Sequence, residues 1–156
     1  MEKPQWLKGR NIIIVDGSEE VMCGVRRQCY MLHYSLDLFT LAMREMLITD
    51  MKTGEKLANF KKFKKSDIVM GDCAYGSLPR IAYLRRHGVD YVLRIQCWKY
   101  AFFDEEHQKT DLLPRLSWLQ DGEIADITVQ CLVDGRYEPV RICALRKDAD
   151  SERTGV

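Results

Sequence analysis

Two short apolar runs, each closed by an aspartate, constrain this chain more than any other feature. One is Ile12-Ile13-Ile14-Val15 followed by Asp16-Gly17-Ser18; the other is Ile68-Val69-Met70-Gly71 followed by Asp72-Cys73-Ala74-Tyr75. A short, continuous apolar run fits a strand covered on both faces. A carboxylate at the mouth of such a strand is poorly placed for packing and well placed to hold a metal ion. Two of them on neighbouring strands could share a pair of Mg²⁺ ions and run phosphoryl transfer. The plainer alternative is that Asp16 begins a turn with Gly17 and Asp72 caps the helix that follows. For either residue alone the plainer reading wins, and only the order of elements between them favours a metal pair.

That order can be read from periodicity. A strand over Asn11–Asp16 is followed by a loop over Glu19–Arg27 that includes Gly24. From Gln28 to Phe39, Leu32, Tyr34, Leu36 and Leu38 alternate with His33, Ser35 and Asp37, the pattern of a half-buried strand with His33 on its polar face. Leu41–Thr49 is a second strand, paired with the first as an antiparallel hairpin turning near Phe39-Thr40. Leu57, Phe60 and Phe63 give residues 54–63 the rhythm of an amphipathic helix. Asp67–Gly71 is the next strand. A helix then opens at Ser77-Leu78-Pro79 and stops at Arg85-Arg86-His87-Gly88, with cations in its last turn and glycine beyond. Tyr91–Ile95 adds another strand.

After Gln96 the character changes. Trp98–Glu106 reads as a loop and Leu112–Leu119 as a short helix. Glu123–Leu132 and Glu138–Leu145 read as two strands joined at Asp134-Gly135. Three segments result: a first α/β part over 1–96, a β-rich part over 97–147, and a frayed polar tail over 148–156.

Bulk properties exclude several classes. An apolar share of 46% and a charged share of 30% are those of a globular domain, and a formal charge of +1 means any nucleic-acid footprint must be local. No run is long enough to span a membrane and the start lacks a signal-peptide pattern, which points to the cytoplasm and to no membrane partner. Cys23, Cys29, Cys73, Cys97, Cys131 and Cys143 contain no C-x-x-C spacing, and His33, His87 and His107 are scattered. The cysteines are therefore expected to be reduced and structural. There is no P-loop or dinucleotide glycine pattern, and Asp16-Gly17-Ser18 lacks the second aspartate of haloacid dehalogenase-type phosphatases.

Several separate words in a fixed order carry a resemblance. Val15-Asp16-Gly17-Ser18, Leu36-Asp37-Leu38-Phe39-Thr40, Leu47-Ile48-Thr49-Asp50, Gly54-Glu55, Gly71-Asp72-Cys73-Ala74-Tyr75-Gly76 and Val92-Leu93-Arg94 resemble the DDE transposases of bacterial insertion sequences. The group named after insertion sequence four is the nearest, and the resemblance covers roughly residues 10–147. It implies an α/β fold with a ribonuclease H-like mixed sheet, and the start of an inserted β-hairpin subdomain after Gln96. It implies that Asp16 and Asp72 are catalytic metal ligands, the first two acids of a triad. The cofactor would be Mg²⁺, with Mn²⁺ as substitute, and the reaction DNA strand cleavage and strand transfer. The partners would be DNA (transposon ends and target) and possible further copies of the chain or full-length transposase, in a bacterial, nucleoid-associated setting.

Two departures stand out. Cys73 occupies a place where the group commonly has Arg. The third carboxylate, carried by the family in a Tyr-x2-Arg-x3-Glu-x6-Lys helix, has no counterpart here. Tyr83-x2-Arg86-x3-Asp90 comes nearest, but it has Asp for Glu, Cys97 for Lys, and precedes the last core strand. The expectation is an internal, truncated piece, inactive alone, with the third acid supplied from outside it.

DNA contacts are expected from residues around this core. Lys52, Lys56, Lys61, Lys62, Lys64 and Lys65 lie within fourteen residues, offset by Glu55. They suit phosphate contact, or equally a solvated helix face. Of these, Lys61, Lys62, Lys64 and Lys65 are the DNA-binding candidates. Tyr75 could stack on a base or pack at the strand end. Arg94 could reach a phosphate or neutralise the carboxylates. Two other readings of the whole remain: a non-catalytic remnant that binds DNA or full-length transposase, and a metal-dependent phosphohydrolase on the same fold.

Overall fold

The computed structural model describes residues 2–21, 29–50 and 62–147. Two compact units divide the chain at Gln96 and Cys97.

The first unit is built on a five-stranded mixed sheet. Its strands are β1 (Asn11–Val21), β2 (Cys29–Asp37), β3 (Met43–Asp50), β4 (Asp67–Gly71) and β5 (Asp90–Leu93), in the order β3-β2-β1-β4-β5. The first three form an antiparallel meander, and β4 and β5 add parallel to β1. One helix, α1 (Leu78–Arg86), carries the chain from β4 to β5. Ser77 stands at its N-cap without a side-chain cap bond, Pro79 lies in its first turn, and Gly88 leaves it at φ +67°. These are the ends that the Ser-x-Pro and Arg-Arg-His-Gly words specify.

Burial departs from the sequence reading in three places. β1 does not end at Asp16: Glu19, Glu20 and Val21 pair with Met31, Tyr30 and Cys29, so the first residues of the expected loop are strand. In β2 it is His33, Ser35 and Asp37 that are buried, while Leu32, Tyr34 and Leu36 are half-buried. The register explains this. Asp37, Ser35 and His33 lie opposite Ile13, Val15 and Gly17, on the face where Ile13 and Val15 are buried. Hydrogen bonds offset part of the cost: the backbone N–H groups of Phe39 and Thr40 donate to Asp37 Oδ1, and His33 Nε2 lies 3.1 Å from Thr49 Oγ1, while His33 Nδ1 is buried without a partner.

The third departure is the other face of the sheet. Ile12 and Ile14 are half-buried, and the same side of β3 and β5 exposes Met46 at 57%, Ile48 at 62% and Val92 at 59%. The apolar runs predict cover on both faces; among the described residues only the α1 side has it in full. There Val15, Val69, Tyr75, Leu84 and Val89 form the core, with Phe63 and Leu93 packed against it. The expected helix over 54–63 and the loop around Gly24 lie largely or wholly outside the described residues.

The second unit is a four-stranded antiparallel sheet in the order β7-β6-β8-β9, from β6 (Phe102–Phe103), β7 (Lys109–Thr110), β8 (Ile124–Val133) and β9 (Arg136–Leu145). The stretch read as loop thus contains β6. A short helix, α2 (Leu112–Leu116), starts where the Leu113 N–H donates to the Asp111 carboxylate. Ala125, Val129, Cys131 and Val133 alternate along β8 and are buried, with Val140 and Ile142 opposite on β9. This is the period-two pattern of a strand with one wet face.

Candidate functional site

β1, β4 and β5 run parallel, so their C-terminal ends share one edge of the first sheet. Val15, Gly71 and Leu93 are registered across the three strands, and Asp16, Asp72 and Arg94 each come one residue later. Adjacent strands are about 4.8 Å apart, so the register sets the two carboxylate-bearing positions next to each other with Arg94 on the far side of Asp72. All three residues are exposed.

Local bonds orient each carboxylate. The Tyr34 hydroxyl donates to Asp16 Oδ2 at 2.8 Å, and the Gly17 N–H donates to Oδ1 at 2.8 Å. Tyr34 sits opposite Asp16 in the β1–β2 pairing. Hydrogen bonding to Asp16 is the largest cause that raises the Tyr34 hydroxyl above its ordinary pKa, followed by desolvation and the nearby negative charge. On the neighbouring strand the Ala74 N–H donates to Asp72 Oδ1 at 2.9 Å, and the Tyr75 N–H donates to the Asp72 carbonyl. Asp72 thus holds a turn but does not cap α1 as the plainer reading expects, since Ser77 occupies that N-cap; one oxygen suffices for the turn.

The turn after Asp72 is fixed to β5. The Arg94 N–H donates to the Gly71 carbonyl at 3.1 Å. A Cβ on Gly76 would stand 2.1 Å from the Arg94 carbonyl oxygen, so no side chain fits there. This close approach holds residues 72–76 against the end of β5 and with them the Asp72 side chain.

The donor set is hard: two carboxylates at the ends of adjacent strands, Asp16 accepting a hydrogen bond on each oxygen and Asp72 on Oδ1, with no thiolate or imidazole among them. Such a pair suits Mg²⁺, which takes one or two carboxylates and fills its remaining positions with water or phosphate oxygens. Among the described residues no group of three His, Cys, Asp or Glu side chains is placed to hold a metal. The pair stands without a third acid there.

The model of the family described as transposase DDE domain matches residues 7–141. The chain belongs to that family. No curated protein matches it. Transposases act on DNA, and DDE transposase domains generally use divalent metal ions. The matched span includes both strand ends that carry Asp16 and Asp72 in this DDE domain. No helix among its described residues is long and apolar enough to cross a membrane.

The other residues singled out by sequence fall in different places. Tyr75 is only 4% exposed and packs in the α1-side core, with the Arg80 guanidinium 5.7 Å from its ring centre. Buried there, the ring offers no open face to a base. Lys61 lies outside the described residues. Lys62 is ion-paired with Glu45. Lys64 and Lys65 are exposed, but they precede the start of β4 and so stand at the edge opposite Asp72. Cys29, Cys73, Cys97, Cys131 and Cys143 are all free thiols, and burial pushes Cys131 up to about 11, which makes it unreactive. Sequence reasoning missed Tyr34. Its alternation with His33 was visible, but its contact with Asp16 depends on a register that composition does not reveal.

Proposed function

We propose that this DDE domain is the first part of the catalytic domain of a DNA transposase of the insertion sequence four group, on a ribonuclease H-like core. The single observation that carries this is the common register that brings Asp16 and Asp72 to one sheet edge. The strand order, an antiparallel meander extended by two parallel strands, supports the fold assignment. The second unit would be the start of the inserted β-rich subdomain.

In this reading Asp16 and Asp72 hold Mg²⁺, or Mn²⁺ in its place. Bound there, divalent ions would activate the attacking water or 3′-hydroxyl and stabilise the leaving oxygen. Tyr34 and the Gly17 N–H keep the Asp16 carboxylate aimed outward. The Gly76–Arg94 contact does the same for the Asp72 turn, and the exposed Arg94 would meet a phosphate beside it. A third carboxylate comes from outside the described residues, on a segment that also covers the apolar face of Met46, Ile48 and Val92.

A nicking assay on supercoiled DNA tests this. Residues 1–156 alone should cut nothing in Mg²⁺ or Mn²⁺. The chain joined to a helix bearing the Tyr-x2-Arg-x3-Glu-x6-Lys pattern should cut, and Asp72→Asn should abolish the cutting. Robust cutting by residues 1–156 alone, lost on Asp16→Asn, would show that another group completes the site.

A further inference from the structure

The parallel strands have a second edge, and its charge differs sharply from that of the chain as a whole. Three segments meet at the N-terminal ends of β1, β4 and β5. The Asn11 N–H donates to the Ser66 carbonyl, Ile68 pairs with Asp90, and Arg10 is ion-paired with Asp90. The Lys65 stem lies along the end of α1, its Cγ and Cε each 3.5 Å from where a Cβ on Gly88 would stand.

Residues 8–11, 64–67 and 85–90 contain six Lys and Arg side chains against two carboxylates, in a chain whose formal charge is only +1. Both acids are engaged, Asp90 by Arg10 and Asp67 by Arg44. Lys8, Lys64, Lys65, Arg85 and Arg86 are exposed. The basic surface therefore combines the end of one helix with two turns, and differs from the single lysine-rich stretch visible in sequence.

We propose that this edge is a duplex-DNA backbone surface separate from the cutting centre, a proposal that rests on the transposase reading above. β4 runs from Asp67 to Gly71, so the surface and Asp72 are separated by about 16 Å along the strand. That is roughly half a turn of B-form DNA, whose full turn is about 34 Å. A duplex that presents one phosphate to the carboxylate edge has backbone about half a turn further on, the spacing at which Lys64, Lys65, Arg85 and Arg86 stand at the opposite edge. Contacts of this kind supply affinity and orientation without reading bases.

The test is fluorescence anisotropy of labelled duplex DNA bound to the full chain over a salt series, in EDTA. Each phosphate contact contributes about 0.9 to the slope of log affinity against log salt. The fourfold variant Lys64→Ala, Lys65→Ala, Arg85→Ala, Arg86→Ala should therefore lower the slope by about three to four. The charge-keeping variant Lys64→Arg, Lys65→Arg, Arg85→Lys, Arg86→Lys should retain the wild-type slope, which separates lost charge from lost fold. Asp16→Asn should leave this slope unchanged while weakening Mn²⁺ binding in a separate, EDTA-free titration, so the two readings can fail independently. An alanine variant that remains folded and binds with the wild-type slope would overturn the proposal.

Discussion

The Tyr34 hydroxyl donates a 2.8 Å hydrogen bond to Asp16 Oδ2, across the antiparallel pair β1–β2 and one residue beyond the last registered pair of β1 and β4. Together with the Gly17 N–H on Oδ1, it gives each Asp16 oxygen a donor. Partners behind a ligating carboxylate tune metal affinity, and losing one costs roughly 10- to 100-fold. Tyr34→Phe should accordingly weaken Mn²⁺ binding by about tenfold, measured by titration, with an unchanged far-ultraviolet spectrum. Unchanged affinity would make the contact incidental.

At the opposite end of the sheet lies a polar lock. Arg44 bridges Asp37 and Asp67, and Asp67, 0% exposed, also accepts from Asn11 Nδ2 and the Lys64 N–H. Burial alone would raise the Asp37 carboxyl; the Thr40 and Phe39 N–H groups and Arg44 outweigh it and hold Asp37 below its ordinary range. A group depressed in the folded state contributes stability above its unfolded pKa, near 3.9, and loses it as the pH falls through the folded value. Denaturant titrations should therefore show stability falling below about pH 4. Asp37→Asn should be less stable at neutral pH by about 1–3 kcal/mol and show a flatter acid limb. An equally steep limb in that variant would assign the acid sensitivity elsewhere.

The exposed apolar face predicts self-association. Patches of this kind on an isolated domain drive association or aggregation. Met46→Lys with Ile48→Lys should shift sedimentation toward monomer, and at such exposed positions each change should move stability by no more than about 0.5 kcal/mol. Persistent oligomers in the double variant would place the association on another surface.

Much of the first unit is legible residue by residue. The aspartate-ended runs give β1 and β4, Ser77-x-Pro79 and Arg85–Gly88 bound α1, and Asp134-Gly135 marks the β8–β9 turn. What the sequence hides is register. β2 buries Asp37, Ser35 and His33 because they lie opposite Ile13, Val15 and Gly17, and hydrogen bonds to Asp37 and to His33 Nε2 offset part of the cost. Hydrophobic alternation alone points the strand the other way. The extension of β1 through Glu19 and Glu20 is likewise a pairing effect, with no apolar pattern to announce it. Two-residue strands such as β6 and β7 are too short to show any period. At the site, Asp16 and Asp72 stand out by position, whereas Tyr34 and the Gly76–Arg94 contact emerge only once neighbouring strands are aligned.

Divalent-ion binding by the intact chain tests the central claim most directly. Mn²⁺ titration followed by electron paramagnetic resonance should show a bound ion in the wild-type protein. Asp16→Asn and Asp72→Asn should each weaken it at least about tenfold without unfolding the domain, since each would remove one of the two carboxylates that the described residues bring to this edge. Wild-type affinity in both single variants, or dependence on one aspartate alone, would contradict a metal centre shared between the ends of β1 and β4.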